Sequence, residues 1–89
     1  MMIKQGPGNC LEGYVRGWDN LGITSIEACN TLCLVEVDCM FVSFLKGKTC
    51  SRYNAVKCTL TTKPAIAAQH ITFAKVAKSK YFVAIEFMA

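Results

Sequence analysis

Six cysteines, one histidine and six carboxylates are the side chains with chemistry to offer in this sequence. Cys10, Cys29, Cys33, Cys39, Cys50 and Cys58 are separated by 18, 3, 5, 10 and 7 residues. An even count in a chain of 89 residues reads as a disulfide framework, weighed against a metal site and free buried thiols. Zinc fits poorly, because there is no Cys-x2-Cys pair and His70 is the sole histidine. Spacing alone leaves many connectivities open. If every cysteine is bridged, no thiolate remains for a Cys-His nucleophile.

The other groups point the same way. Glu12, Asp19, Glu27, Glu36, Asp38 and Glu86 show no pairing motif of the kind that acid/base work on a glycan requires. His70 stands beside Ile71 in an expected strand and is read as structural or exposed. Gly6 and Gly8 precede no strand-to-helix unit, so no phosphate-cradling loop is indicated. No enzyme, cofactor or metal is expected.

The elements that must position these residues centre on the stretch from Ser25 to Cys50. Thr24 is a good N-cap with Glu27 three residues later, as a capping box requires. Ile26, Cys29 and Cys33 then form an inward stripe at helical spacing, with Glu27 and Asn30 outward. The helix should end near Glu36. From Met40 the period becomes two, and Lys46-Gly47-Lys48 supplies a turn into a returning strand, Thr49 to Arg52.

Around this unit, Met1 to Asn9 is expected to be a flexible leader, with residues 10–89 forming one domain. Leu11 to Trp18 reads as a first strand with Tyr14, Arg16 and Trp18 on one side, although Gly13 and Gly17 weaken it. Leu21 and Ile23 anchor the loop into the helix. Val56 to Thr62 alternates like another strand carrying Cys58, ended by Lys63-Pro64. Ala65 to Gln69 is ambiguous. Ile71 to Val76 reads as a strand inside the sheet, and Tyr81 to Phe87 as a last strand.

A domain this small buries only about 60 to 65% of the surface its unfolded chain exposes, so covalent staples are valuable. Their presence argues for an oxidising, extracellular setting. Met1 to Asn9 holds no apolar core for a secretory signal, so the chain is read as a mature or excised piece of a secreted protein. The longest apolar run, Tyr81 to Ala89, is too short to span a bilayer and contains Glu86.

Charge is uneven along the chain, whose formal net charge is +4. Lys46, Lys48, Arg52, Lys57, Lys63, Lys75, Lys78 and Lys80 fall in a stretch without an acid, while five of the six acids precede Cys39. This segregation would steer an acidic glycan or an acidic protein surface to the hairpin and late strands. The alternative is a set of solvated sheet edges that block aggregation. Nucleic acid is a poor fit to an extracellular, disulfide-bonded chain. Tyr14 and Trp18, with Arg16, offer a platform for a sugar ring or a partner side chain, against a core role for Trp18. Hydrophobic residues are 53% of the chain, and the apolar segment 77–89 either completes the sheet or pairs with a second copy.

Ser25-Ile26-Glu27-Ala28-Cys29, then Cys33, then Cys39 followed by an apolar strand, a tight turn and Cys50, resembles the core of the PAN/Apple domain family. The resemblance covers about residues 10–76. It implies an α+β fold, one helix cradled by a curved antiparallel sheet, with the helix cysteines bridged to the hairpin: Cys29 with Cys50 and Cys33 with Cys39. Cys10 and Cys58 would then pair as first and sixth. The sequence departs from the family at Cys58, which comes eight residues after Cys50, whereas the family's last cysteine usually lies nearer the domain end.

The resemblance implies a non-catalytic extracellular module, lectin-like or adhesive, that binds a glycan or an extracellular protein. The candidate ligand residues are Lys46, Lys48, Arg52, Lys75, Lys78, Lys80, Tyr14, Arg16 and Trp18. The alternative is a secreted structural or inhibitory protein that self-associates through its apolar end.

Overall fold

The computed structural model describes residues 1–19 and 22–76. Leu21, Lys78, Lys80 and the expected strand at residues 81–87 lie outside these. Seven elements follow in order: β1 (Met2–Pro7), β2 (Tyr14–Arg16), α1 (Ile26–Val35), β3 (Phe41–Leu45), β4 (Thr49–Tyr53), α2 (Pro64–Ala67) and β5 (His70–Lys75). The strands form one antiparallel sheet in the order β1-β5-β3-β4-β2. With α1 on one face, the fold is α+β, small and disulfide-rich.

Helix α1 starts one residue later than the capping box predicts. Ser25, in extended conformation, is the N-cap, and its Oγ accepts from the Ala28 N–H at 3.1 Å. Glu27 stands in the first turn, where its charge suits the helix dipole. A helix of 10 residues is marginal alone. This one buries only Cys29 and Cys33 completely, while Leu34 and Val35 remain exposed. Covalent bonds replace the missing apolar stripe: Cys29 is bridged to Cys50 on β4, and Cys33 to Cys39 just beyond the helix. The third bridge joins Cys10 to Cys58, so all three expected pairs are present. Four of the six residues in the buried cluster are half-cystines; Val42 and Phe44 complete it, with Ile26, Ile71 and Phe73 packed alongside.

The sheet face away from α1 is polar and still buried. Cys10 N–H donates to Ser43 Oγ at 3.2 Å, Ser43 and Thr72 share a 2.7 Å hydrogen bond, and Thr72 Oγ1 donates to Gly8 O at 2.6 Å. Since the Gly8 carbonyl only accepts, the Ser43 hydroxyl must donate to Thr72. The relay therefore runs in one direction and ties residues 8–10 across β3 and β5, giving the buried Ser43 and Thr72 hydroxyls partners.

Three expected segments differ. Met1 to Asn9 is not a leader, because Met2–Pro7 pairs with β5 along its length. Gly6-Pro7-Gly8 is compatible with an edge strand, where a missing N–H faces outward and a bulge between Lys4 and Gly6 absorbs the irregularity. Val76 N–H also donates to Met1 O at 2.8 Å, so the start of β1 and the end of β5 meet. Residues 56–62 make only an isolated bridge, Cys10 with Leu60. The places beside β3 and β4 are already taken by β5 and β2, so the alternating pattern has no face to bury and Val56 is fully exposed. The first expected strand shrinks to Tyr14–Arg16, bounded by Gly13 and Gly17 in the positive-φ region. The ambiguous stretch after Lys63 is the single turn α2, begun by Pro64 where its missing N–H costs nothing.

Candidate functional site

Strand β2 decides how the candidate side chains are presented. Strict alternation would place Tyr14 and Arg16 on the same face. Their partners on β4, however, are Tyr53 and Arg52, which are adjacent and face opposite ways, and the register shifts between Tyr14 and Arg16. That bulge turns Tyr14 to the polar face and Arg16 to the helix face. The expected platform of Tyr14, Arg16 and Trp18 therefore divides.

On the polar face, Tyr14 and Trp18 are both exposed, at 51% and 64%. A core role for Trp18 is thereby overturned. Trp18 N–H donates to the Tyr14 hydroxyl at 2.9 Å, which fixes the loop against the strand. The Tyr14 ring meets buried Tyr53 edge to face, with centroids 5.9 Å apart. These rings border a cleft of about 310 Å³ that Asn9, Ser51 and His70 also line. His70 Nδ1 lies 2.9 Å from Ile66 O. A carbonyl accepts only, so Nδ1 carries a proton. The volume lies at the lower end of small-molecule sites. Apolar ring faces beside amide, hydroxyl and imidazole groups suit a ligand with one apolar face and several hydroxyls.

Asn9, Ser51, Tyr53 and His70 were absent from the sequence-derived candidates. Tyr53 and Ser51 share the period-two face of β4 with Thr49, a signal the sequence carried. Asn9 belonged to the supposed leader and carried none.

On the helix face, three basic candidates are engaged by acids or carbonyls of the chain. Arg16 donates to both carboxylate oxygens of Asp38 and lies 3.4 Å from Glu36. Arg52 is only 3% exposed; it donates to Glu36 Oε1 at 2.9 Å and Oε2 at 3.2 Å, and to Cys50 O at 2.7 Å. Lys75 Nζ donates to Cys33 O at 2.7 Å and Glu36 O at 2.9 Å, satisfying carbonyls at the C-terminus of α1. Arg16, Arg52 and Lys75, expected from the sequence as ligand-binding residues, thus engage acids and carbonyls that link α1, β2, β4 and β5. Lys46 and Lys48 flank exposed Gly47 in the β3–β4 turn and do not line the aromatic cleft.

The hydrogen bond from Arg16 holds the Asp38 carboxyl below its ordinary range, and the same bond raises the Arg16 guanidinium. A carboxylate whose folded value is depressed contributes stability above its unfolded value, near about 3.9, and loses it as pH falls through the folded one. Denaturant midpoints measured from pH 7 to pH 2 should fall most below about pH 4. Asp38→Asn should flatten that fall, and an unchanged profile in the variant would remove the assignment.

Among the described residues, no three His, Cys, Asp or Glu side chains gather to hold a metal, and no cysteine is free. No described helix is long and apolar enough to cross a membrane. Comparisons of the chain with protein-family models, curated proteins and solved structures found no match.

Proposed function

We propose that this chain is a non-catalytic extracellular recognition module that holds a carbohydrate ring against Tyr14 and Trp18. The observation that carries the reading is the pair of exposed aromatic rings bordering a cleft to which Asn9, Ser51 and His70 bring hydrogen-bonding groups beside Leu11 and Cys10. An exposed Trp held by a backbone hydrogen bond loses little freedom when it stacks on a sugar, which favours binding. Three disulfides fit an oxidising compartment. The PAN/Apple resemblance supports the same class, through a helix whose two cysteines are bridged to Cys39 and to the hairpin. With Arg16 withdrawn to the helix face, the cleft favours an uncharged sugar over a sulfated or sialylated one.

A glycan array probed with the full chain should show retention of neutral glycans, with a change in Trp18 fluorescence on titration of the hits. Trp18→Ala should weaken binding about tenfold or more, or about 1.4 kcal/mol. Equal binding by Trp18→Ala, or retention no greater than that of a charge-matched control, would overturn the proposal.

A further inference from the structure

A second and larger concavity, about 580 Å³, opens between the first turn of α1, the turn after β3, and the β1, α2 and β5 segments. Its apolar surface comes from Pro7, Ile26, Phe44, Ala67 and Ile71. Register places the strand residues on the helix side of the sheet: Pro7 pairs with Ile71, and Ile71 with Phe44. This groove therefore lies across the sheet from the aromatic cleft, although His70 at the start of β5 touches both.

Lys4 and Lys46 reach this groove from different elements, β1 and the β3–β4 turn. Lys4 is on the helix side because it pairs with Phe73. Among the described residues neither lysine is ion-paired, unlike Arg16 and Arg52. Lysine stems cover apolar surface while the ammonium stays in water, so both can border a greasy floor without cost. Glu27 stands on the same rim, leaving two positive charges against one negative. That balance matches a single negative charge better than a polyanion. A volume within the usual range for small ligands, an apolar floor and a singly positive rim specify an apolar body carrying one acidic head.

We propose that this groove binds a medium-chain carboxylate, its alkyl chain over Ile26, Phe44 and Ile71 and its head group at the rim that Lys4 and Lys46 make positive. This rests on different residues from the sugar-binding reading and stands or falls separately.

The test is an NMR titration of the isotope-labelled full chain with decanoate below its micellar threshold, with decyltrimethylammonium as the cation of equal chain length. Saturable shifts are expected at the amides of Ile26, Lys46 and Ile71 with decanoate, and at least tenfold weaker binding of the cation. Lys4→Glu with Lys46→Glu, both at exposed positions, should weaken decanoate at least tenfold and reverse the preference, whereas Trp18→Ala should leave it unchanged. Equal binding of both amphiphiles, shifts centred on Tyr14 and Trp18, or no saturable shift would overturn the proposal. So would concentration-dependent shifts of the same amides without decanoate, which would give the groove to a second copy of the chain.

Discussion

Gly17→Ala is expected to destabilise the protein by about 3 kcal/mol or more and to abolish binding at the aromatic cleft together with it. Gly17 has φ +112, a conformation that costs an L side chain, and a methyl group there would stand 1.9 Å from Cys50 O and 2.7 Å from an Arg52 nitrogen. The first of these is backbone and cannot step aside. Either β2 lifts from β4 or the hairpin shifts. Tyr14 and Trp18 flank this residue, so the platform moves with it. Urea denaturation gives the first quantity and Trp18 fluorescence the second. A variant as stable as the parent would show that the close approach of residue 17 to β4 is not required. Gly47→Ala is the control: its φ is also positive, but no neighbour lies within 4 Å, so only the conformational cost remains, about 1 kcal/mol.

Removal of the bridge between α1 and β4, by Cys29→Ala with Cys50→Ala, should cost about 3 kcal/mol from loop closure over a separation of 21 residues. Cys33–Cys39, which closes only 6, is worth about 2 kcal/mol by the same reasoning. The 29–50 bridge should cost more than the entropy alone, because both half-cystines are fully buried in the cluster α1 packs against and their loss leaves space there. Thermal unfolding of the double variant, against a Cys33→Ala, Cys39→Ala partner, should rank the two in that order. The reverse order would mean that α1 is held chiefly at its C-terminus, by Lys75 and the short loop.

The parts of the fold legible in the sequence were those whose information is local. Helix α1 and the β3–β4 hairpin have their period, caps and turn within their own residues, and the errors there are one residue each: Ser25 for Thr24, Phe41 for Met40 and Tyr53 for Arg52. The bridges were legible only through the family resemblance, since spacing left them open. Strand β1 was missed because its partner lies about seventy residues away, Met2 opposite Lys75, and nothing in Met2–Pro7 announces it. Residues 56–62 erred in the opposite sense: a β-prone composition found the places beside β3 and β4 taken by β5 and β2. At the site, Tyr14 and Trp18 were readable as types. The bulge that sends Arg16 to the other face was not, because it is written in the pairing of β2 with β4.

The meeting of Met1 with Val76 has a mechanical consequence. Tension applied at these two residues acts across β1 and β5, so their hydrogen bonds would open one after another, a zipper geometry that yields at low force. Opening would then stop at a covalent limit, because Cys10–Cys58 closes everything between them into a loop that bears no load. Only the nine residues before Cys10 and the eighteen from Thr59 to Val76 can pay out, roughly 90 Å in all. Under tension the chain would behave as a short, soft tether with a fixed stop, and the Tyr14 strand, the hairpin and the bridged helix would remain inside the part that the stop protects.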